Sequence, residues 1–141
     1  MILYLDTSSL LKLFINEPGS DDVAKWVAET EVLVTSRVAY AEARAALARA
    51  HRTARLSVRS YRSVLRSFED AWGSLALVEA SEPLVRLAGD LAERHALRGF
   101  DAIHLASAIL LQRETGQPVG FSAWDERLMA AAGVEGMTRH G

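Results

Sequence analysis

Four carboxylates stand at positions in the sequence from which acidic side chains can bind a cation. They are Asp6, Glu42, Asp101 and Asp125. The chain has no cysteine, and the one imidazole close to any of these acids in sequence is that of His104. Clusters whose donors are all oxygen suit hard Mg²⁺ or Mn²⁺ rather than Zn²⁺. Carboxylates that hold such a cation, with water and a substrate phosphate completing its shell, are used to hydrolyse phosphodiesters.

Asp6 directly follows an unbroken apolar run at residues 2–5. Such a run predicts a strand buried on both faces of a parallel sheet. Ligands of open α/β sheets collect in the crevice outside the carboxyl ends of the strands, so an acid at this position can act on a ligand. The alternative is that Asp6 only caps the following helix, for which Thr7, Ser8 and Ser9 also offer capping hydroxyls.

The neighbours of the other three acids on predicted helices indicate the role of each acid. The residues three and four positions from Glu42 are all apolar: Val38, Ala39, Ala45 and Ala46. We therefore expect Glu42 to point into the protein, where an unpaired charge is costly unless a cation meets it. Asp101 and Asp125 each precede a helical pattern, and the alternative for both is a helix N-cap. His104 lies close enough to contact Asp101, but we interpret it as a helix histidine with satisfied hydrogen bonds.

Basic residues are concentrated in one segment, residues 37–66. This segment has eight arginines and one acid, Glu42, although the net charge of the whole chain is −2. A basic arm on an otherwise acidic protein suggests a polyanionic partner, and the alternative is a solvated helical face. The arginines that flank the predicted junction between two helices are Arg52, Arg55, Arg59 and Arg62.

Strands and helices alternate along the chain, and these elements must position the acids. Strands are predicted at residues 2–5, 32–35, 75–78 and 119–121, with one more edge strand in the tail from residue 133. Helices are predicted at residues 7–14, 20–29, 36–51, 57–71, from 81, 102–113 and 125–132, with Ser36, Ser57 and Ser81 as caps. The order predicts an α/β fold with a central parallel sheet of four or five strands flanked by helices.

The length of 141 residues fits one domain over residues 1–141. The N-terminal apolar run is too short for a signal peptide and lacks a basic lead-in. No run approaches the roughly 18 apolar residues that a membrane span needs. We therefore expect a cytoplasmic protein with no membrane partner.

Four motifs, in this order and at these spacings, resemble those of PIN-domain proteins of the VapC toxin type over essentially the whole chain. They are Leu5-Asp6-Thr7-Ser8, Ala41-Glu42-Ala43-Arg44, Asp101-Ala102-Ile103-His104-Leu105-Ala106 and Trp124-Asp125-Glu126-Arg127-Leu128. The third is the most specific, and the first is common in other proteins. The resemblance implies a single PIN-like three-layer sandwich. It also implies a Mg²⁺-dependent endoribonuclease of structured RNA (tRNA or rRNA) that is usually a homodimer and is neutralised by a cognate VapB-like antitoxin.

The resemblance further implies that Asp6, Glu42, Asp101 and Asp125 form a catalytic, metal-binding pocket. Asp6 and Asp101 are then the principal ligands, Ser8 lies beside them, and Glu42 and Asp125 bind a second ion or orient water. The chain departs from the family at Ala123, where a Thr or Ser is often found, and the nearest hydroxyl is on Ser122.

Two other functions fit parts of the pattern. A catalytically silent nucleic-acid- or protein-binding module of the same fold would not need all four acids, and all four are present. A different Mg²⁺-dependent phosphotransfer enzyme, such as a small phosphatase, fits less well. The chain has no Walker-type glycine-rich loop, and Thr7 and Ser8 follow Asp6 where an Asp-x-Asp pair would place a second acid.

Overall fold

A five-stranded parallel sheet forms the centre of the protein, with the strand order β3-β2-β1-β4-β5. The strands are β1 (Ile2–Leu5), β2 (Val32–Ser36), β3 (Ala76–Val78), β4 (Val119–Ser122) and β5 (Thr138–His140). The structure is a computed structural model and describes residues 1–141. Because β1 pairs with a strand on each side, the end of β1 delivers Asp6 to the middle of the sheet's carboxyl edge. The predicted α/β fold is confirmed, and β5 is the predicted edge strand.

Seven helices cover the two faces of the sheet. They are α1 (Thr7–Leu11), α2 (Ser20–Ala28), α3 (Ala39–Arg52), α4 (Val58–Trp72), α5 (Glu82–His95), α6 (Gly99–Thr115) and α7 (Glu126–Val134). None of them combines the length and the apolar character that crossing a membrane would require.

Strand β1 shows why the fold has three layers. All four of its residues are buried, and alternate side chains point to opposite faces. Ile2 and Tyr4 belong to the apolar cluster that they share with α5, α6 and α7. Leu3 and Leu5 belong to the other cluster, with residues of α1, α2, α3 and α4. One strand therefore ties together two separate cores, and Asp6 follows directly from it.

Two helix starts differ from the sequence prediction. Ser36 is the last residue of β2 and does not cap α3, which begins at Ala39 without a side-chain cap. The Ser36 hydroxyl instead accepts a hydrogen bond from the Val38 N–H at 3.2 Å, within the connecting turn. Helix α6 begins at Gly99 rather than at residue 102, so Asp101 lies inside its first turn and is not the N-cap. Ser57 and Ser81 cap α4 and α5 as predicted.

Helix α1 is shorter than predicted and ends at Leu11. Beyond it, Leu13 and Phe14 donate to carbonyls three residues earlier, so the chain continues as tight turns rather than as an α-helix. The N-cap of α1 is Asp6, and Thr7 and Ser8 lie within the helix. The two interpretations of Asp6 are therefore not exclusive, because the residue that caps α1 also faces the crevice.

Candidate active site

The structure brings all four predicted acids to one pocket of about 400 Å³ at the carboxyl edge of the sheet. Asp6 follows β1, Glu42 lies in the first turn of α3, Asp101 lies in the first turn of α6 and Asp125 caps α7. The pocket is also lined by Thr7, Ser8, Arg98, His104 and Trp124. Asp6 is buried at the bottom and Asp125 is exposed at the rim, so the acids form a gradient of depth.

Asp6 is held in one orientation by its role as a helix cap. Its Oδ1 accepts hydrogen bonds from the Ser9 N–H at 2.9 Å and from the Ser8 hydroxyl at 2.7 Å. Both bonds go to Oδ1, which leaves Oδ2 free for a ligand in the pocket. Burial raises the pKa of the Asp6 carboxyl above its ordinary value, and the negative charge of Asp101 adds to this effect. A cation in the pocket would offset both effects.

Glu42 is held by a hydrogen-bonded chain that begins in the core. The Tyr4 hydroxyl lies 2.7 Å from Nδ1 of His104, and Nε2 of His104 lies 2.7 Å from Oε1 of Glu42. The Thr7 hydroxyl donates to the same oxygen at 2.8 Å. Burial raises the pKa of the Glu42 carboxyl, but the hydrogen bonds from His104 and Thr7 reverse the shift, so the net pKa lies below its ordinary value.

The direction of each bond in this chain follows from Glu42. The lowered pKa keeps its carboxyl ionised, so Oε1 can only accept, and the imidazole hydrogen on Nε2 of His104 points at it. In the neutral imidazole Nδ1 is then an acceptor, and the Tyr4 hydroxyl, which burial keeps protonated, donates to it. His104 is buried with both nitrogens bonded, which confirms its interpretation as a satisfied helix histidine. Its carboxylate partner is Glu42 and not Asp101.

Asp101 and Asp125 share a basic neighbour that the sequence analysis did not identify. Nε of Arg98 donates to Oδ2 of Asp101 at 3.1 Å, and Nη2 of Arg98 lies 3.9 Å from Oδ2 of Asp125. Oδ1 of Asp125 accepts from the Leu128 N–H at 2.9 Å, as expected of a cap. The available signal in the sequence was the spacing, since Arg98 precedes Asp101 by three residues at a helix start.

Ser122 and Trp124 support the pocket in different ways. The Ser122 hydroxyl lies 2.8 Å from the Ser9 hydroxyl, both buried, and the Ser122 carbonyl accepts the Asp6 N–H at 3.0 Å. Ser122 therefore braces the backbone behind Asp6 and does not line the pocket. Trp124 forms part of the pocket wall and packs against Gly19, where an added Cβ would lie 2.6 Å from the indole. Gly19 has φ +93°, a conformation that glycine adopts without strain.

The donor chemistry of the pocket fits Mg²⁺ or Mn²⁺. No group of three or more His, Asp or Glu side chains is gathered closely enough to hold a metal ion. Mg²⁺ does not require such a group, because it is usually bound by one or two carboxylates, with waters and substrate phosphates as its other ligands. Asp6 has a free carboxylate oxygen. Its pKa is raised mainly by burial and further by the nearby charge of Asp101, so this pair is the best placed to hold a cation.

The four predicted RNA-binding arginines lie outside the pocket. Arg52 ends α3, Arg55 lies in the turn that follows, and Arg59 and Arg62 are in the first part of α4; all four are exposed. Their clustering at the helix junction agrees with the sequence, and their role in binding RNA stays a prediction. Three arginines of the basic segment are paired, Arg37 with Glu79, Arg44 with Glu69 and Arg55 with Glu17, which lowers the free positive charge of the segment.

Known proteins with a similar sequence or fold share a family. The family model described as "PIN domain" matches residues 3–115. "Ribonuclease VapC49" of Mycobacterium tuberculosis is 38% identical over 136 residues, which cover 96% of this chain and 92% of the relative. A chain of a toxin-antitoxin complex from Klebsiella pneumoniae has the same fold, with a TM-score of 0.65 at 18% identity and coverage of 92% and 91%.

A second solved structure repeats this agreement. Mycobacterium tuberculosis VapC20, described as a "Sarcin-Ricin loop cleaving toxin", gives a TM-score of 0.64 at 19% identity, with 92% of this chain and 94% of that chain covered. At identities below 20% these two structures show only that the fold is shared. The family is shown by the family model and by the relative that is 38% identical. The chain belongs to the PIN-domain family, among its VapC-type ribonucleases.

Proposed function

We propose that this protein is a Mg²⁺-dependent endoribonuclease that acts as the toxin of a toxin–antitoxin pair. The observation that carries the proposal is the convergence of Asp6, Glu42, Asp101 and Asp125 on one pocket at the carboxyl edge of a parallel sheet. The VapC relative, which is named a ribonuclease, supports hydrolysis of RNA as the reaction.

The residues divide into cation ligands and residues that orient water. Asp6 and Asp101 would hold Mg²⁺, with Mn²⁺ as a substitute. When bound, the cation lowers the pKa of water and takes up the negative charge that develops on the phosphate. Glu42 accepts both of its hydrogen bonds on Oε1, so its Oε2 is free to orient the attacking water or a second ion. Asp125 assists from the rim, and the exposed hydroxyl of Ser8 faces the substrate.

The substrate is a structured RNA, tRNA or rRNA, whose backbone is bound by the exposed arginines at the α3–α4 junction. Proteins recognise structured RNA largely through its shape and unstacked bases, and arginine contacts to phosphate add affinity without a sequence preference. The basic arm would supply this affinity and the acids would supply the chemistry.

The regulatory partner is a VapB-like antitoxin, and the toxin itself is a homodimer in the cytoplasm. The antitoxin would insert a basic side chain among the four acids. An arginine suits this role, because its planar fork pairs with carboxylates and stays charged at any relevant pH. The pocket already accepts a guanidinium, since Arg98 of the same chain bonds Asp101. Inhibition should therefore weaken as the concentration of Mg²⁺ rises.

The test is brief expression in a bacterial host, followed by mapping of new 5′ ends across total RNA. The wild type is compared with Asp6→Asn and with the control Asp90→Asn, which changes an exposed acid of α5 away from the pocket. We expect growth arrest and discrete new ends with the wild type and the control, and neither with Asp6→Asn. Equal growth and identical ends for all three proteins at equal soluble expression would refute the proposal and favour a catalytically silent module.

A further inference from the structure

The side chain of Arg98 points toward the acid pocket instead of stabilising the start of α6. Arg98 is the N-cap residue of α6, but its side chain makes no capping hydrogen bond. The side chain is 81% exposed, yet it turns toward the pocket and contacts Asp101, whose side chain is only 18% exposed. It also reaches within 3.9 Å of Asp125, which belongs to a different helix. The guanidinium therefore bridges two acids that come together only in the folded protein.

We infer that Arg98 is a built-in counter-ion that competes with the divalent cation for Asp101 and is displaced when the cation binds. The inference rests on the metal site of the proposed function. The Oδ2 atom of Asp101 accepts the Arg98 hydrogen bond, so Arg98 occupies an oxygen that would otherwise be open to the cation. In the absence of metal, Arg98 compensates part of the negative charge of the four acids.

The geometry permits the displacement without a rearrangement of the backbone. Arg98 lines two adjacent pockets, the acid pocket of about 400 Å³ and a neighbouring one of about 540 Å³. Asp101, Trp124 and Asp125 form the boundary that both pockets share. A guanidinium on a long, exposed stem can therefore turn from the first pocket into the second. Exposed ion pairs are weak, so a cation that binds several oxygens at once would win the competition.

Arg127 provides a matched comparison within the same structure. It lines the neighbouring pocket together with Arg98, but its guanidinium donates to the Ala96 carbonyl at 3.1 Å and forms no ion pair with an acid. The loss of its charge changes the long-range field at the pocket, but it does not free an acid oxygen. Removal of Arg98 should therefore change the affinity for a cation, whereas removal of Arg127 should not.

The test is calorimetric titration of the RNA-free protein with Mn²⁺, which reads binding and not activity. The proteins are the wild type, Arg98→Gln, Arg98→Lys and the control Arg127→Gln. We expect Arg98→Gln to bind Mn²⁺ about two- to fivefold more tightly than the wild type, the range expected for loss of an exposed pair. Arg98→Lys keeps the charge but loses the Nε–H bond, so its affinity for Mn²⁺ should lie between those of the wild type and Arg98→Gln. Arg127→Gln should leave the dissociation constant close to that of the wild type.

Other outcomes separate this inference from the proposed function. An Arg98→Gln protein that binds Mn²⁺ no more tightly than the wild type, or no more tightly than Arg127→Gln, overturns the competition and leaves the metal site intact. A wild type that binds no Mn²⁺ overturns the metal site, and this inference with it. Thermal melting of each variant checks that it is folded. Only the small loss typical of an exposed ion pair is expected for the Arg98 variants, because the Arg98 side chain caps no backbone group.

Discussion

Nε2 of His104 donates a 2.7 Å hydrogen bond to Oε1 of Glu42, although the two residues are 62 positions apart in the chain. On the opposite side of the ring, Nδ1 accepts from the buried Tyr4 hydroxyl at 2.7 Å. The orientation of the Glu42 carboxylate is therefore set from inside the core. His104 bonds only Oε1 and leaves Oε2 of Glu42 free in the pocket. A buried chain of this kind rigidifies the site when all of its members are satisfied.

The chain from Tyr4 to Glu42 should show strong energetic coupling. In His104→Ala the Tyr4 hydroxyl loses its acceptor, and we expect the free energy of unfolding to fall by about 1–3 kcal/mol, the cost of a buried polar group left unpaired. The double variant Tyr4→Phe/His104→Ala removes that orphaned hydroxyl, so its loss should be smaller than the sum of the two single losses. Urea denaturation of the four proteins measures this, and additive losses would contradict the chain.

Asp6→Asn should stabilise the protein in the absence of metal. Burial raises the pKa of Asp6 in the fold above its unfolded value, so ionisation at neutral pH costs stability. An asparagine can still cap α1 through its side-chain oxygen but carries no charge. We expect a higher melting temperature than that of the wild type at pH 8, with the difference shrinking as the pH falls through the raised pKa. A lower melting temperature at pH 8, with Asp90→Asn unchanged, would refute this assignment.

Glu42→Gln should act in the opposite direction. The pKa of Glu42 is lowered in the fold, so its ionised form contributes stability at neutral pH that is lost as the pH falls from its ordinary value through the lowered one. The variant should therefore melt below the wild type at pH 7, and the difference should disappear in acid. Thermal melting from pH 3 to pH 8 measures both acids together. Shifts of the same sign for Asp6→Asn and Glu42→Gln would contradict the electrostatics of the pocket.

The basic arm should supply affinity for RNA rather than chemistry. We expect Arg59→Ala/Arg62→Ala to weaken binding across RNA sequences and to lower the slope of log K against log salt by about 0.7–0.9 for each phosphate that the variant no longer binds. The matched control is Arg86→Ala/Arg113→Ala, which removes two exposed arginines from α5 and α6. Fluorescence anisotropy at several salt concentrations measures both. An equal loss of affinity in the two variants would assign the effect to net charge and not to the arm.

The sequence predicted the elements that depend on local patterns. The apolar run before Asp6 predicted β1, and the apolar neighbours of Glu42 predicted that its side chain points inward. The junction between α3 and α4, with its exposed arginines, was also predicted. These features depend on residues within a few positions of one another, which is the range over which periodicity and capping rules act.

The contacts that tune the pocket were not predicted, because they depend on tertiary packing. The interpretation of His104 anticipated a satisfied histidine, but its partners come from β1 and α3 and are fixed by how α6 packs on the sheet. The early start of α6 at Gly99 placed Arg98 at the N-cap position, from which it reaches Asp101 and Asp125. Capping rules did not identify this start, because no side chain caps it.

The most direct test of the central claim is the initial rate of RNA cleavage by the purified protein, measured against the concentration of Mg²⁺ on an RNA whose cleavage site has been mapped. Loss of residues that only support metal ligands costs roughly 10–100-fold, so loss of a ligand should cost more. We expect wild type and Asp90→Asn to be equally active and to stop when the metal is chelated. Asp6→Asn and Asp101→Asn should be slower by more than about 100-fold, Glu42→Gln nearly as slow, and Asp125→Asn less impaired. Near-wild-type cleavage by Asp6→Asn or Asp101→Asn at the same Mg²⁺ concentration, or full activity after chelation, would contradict the account.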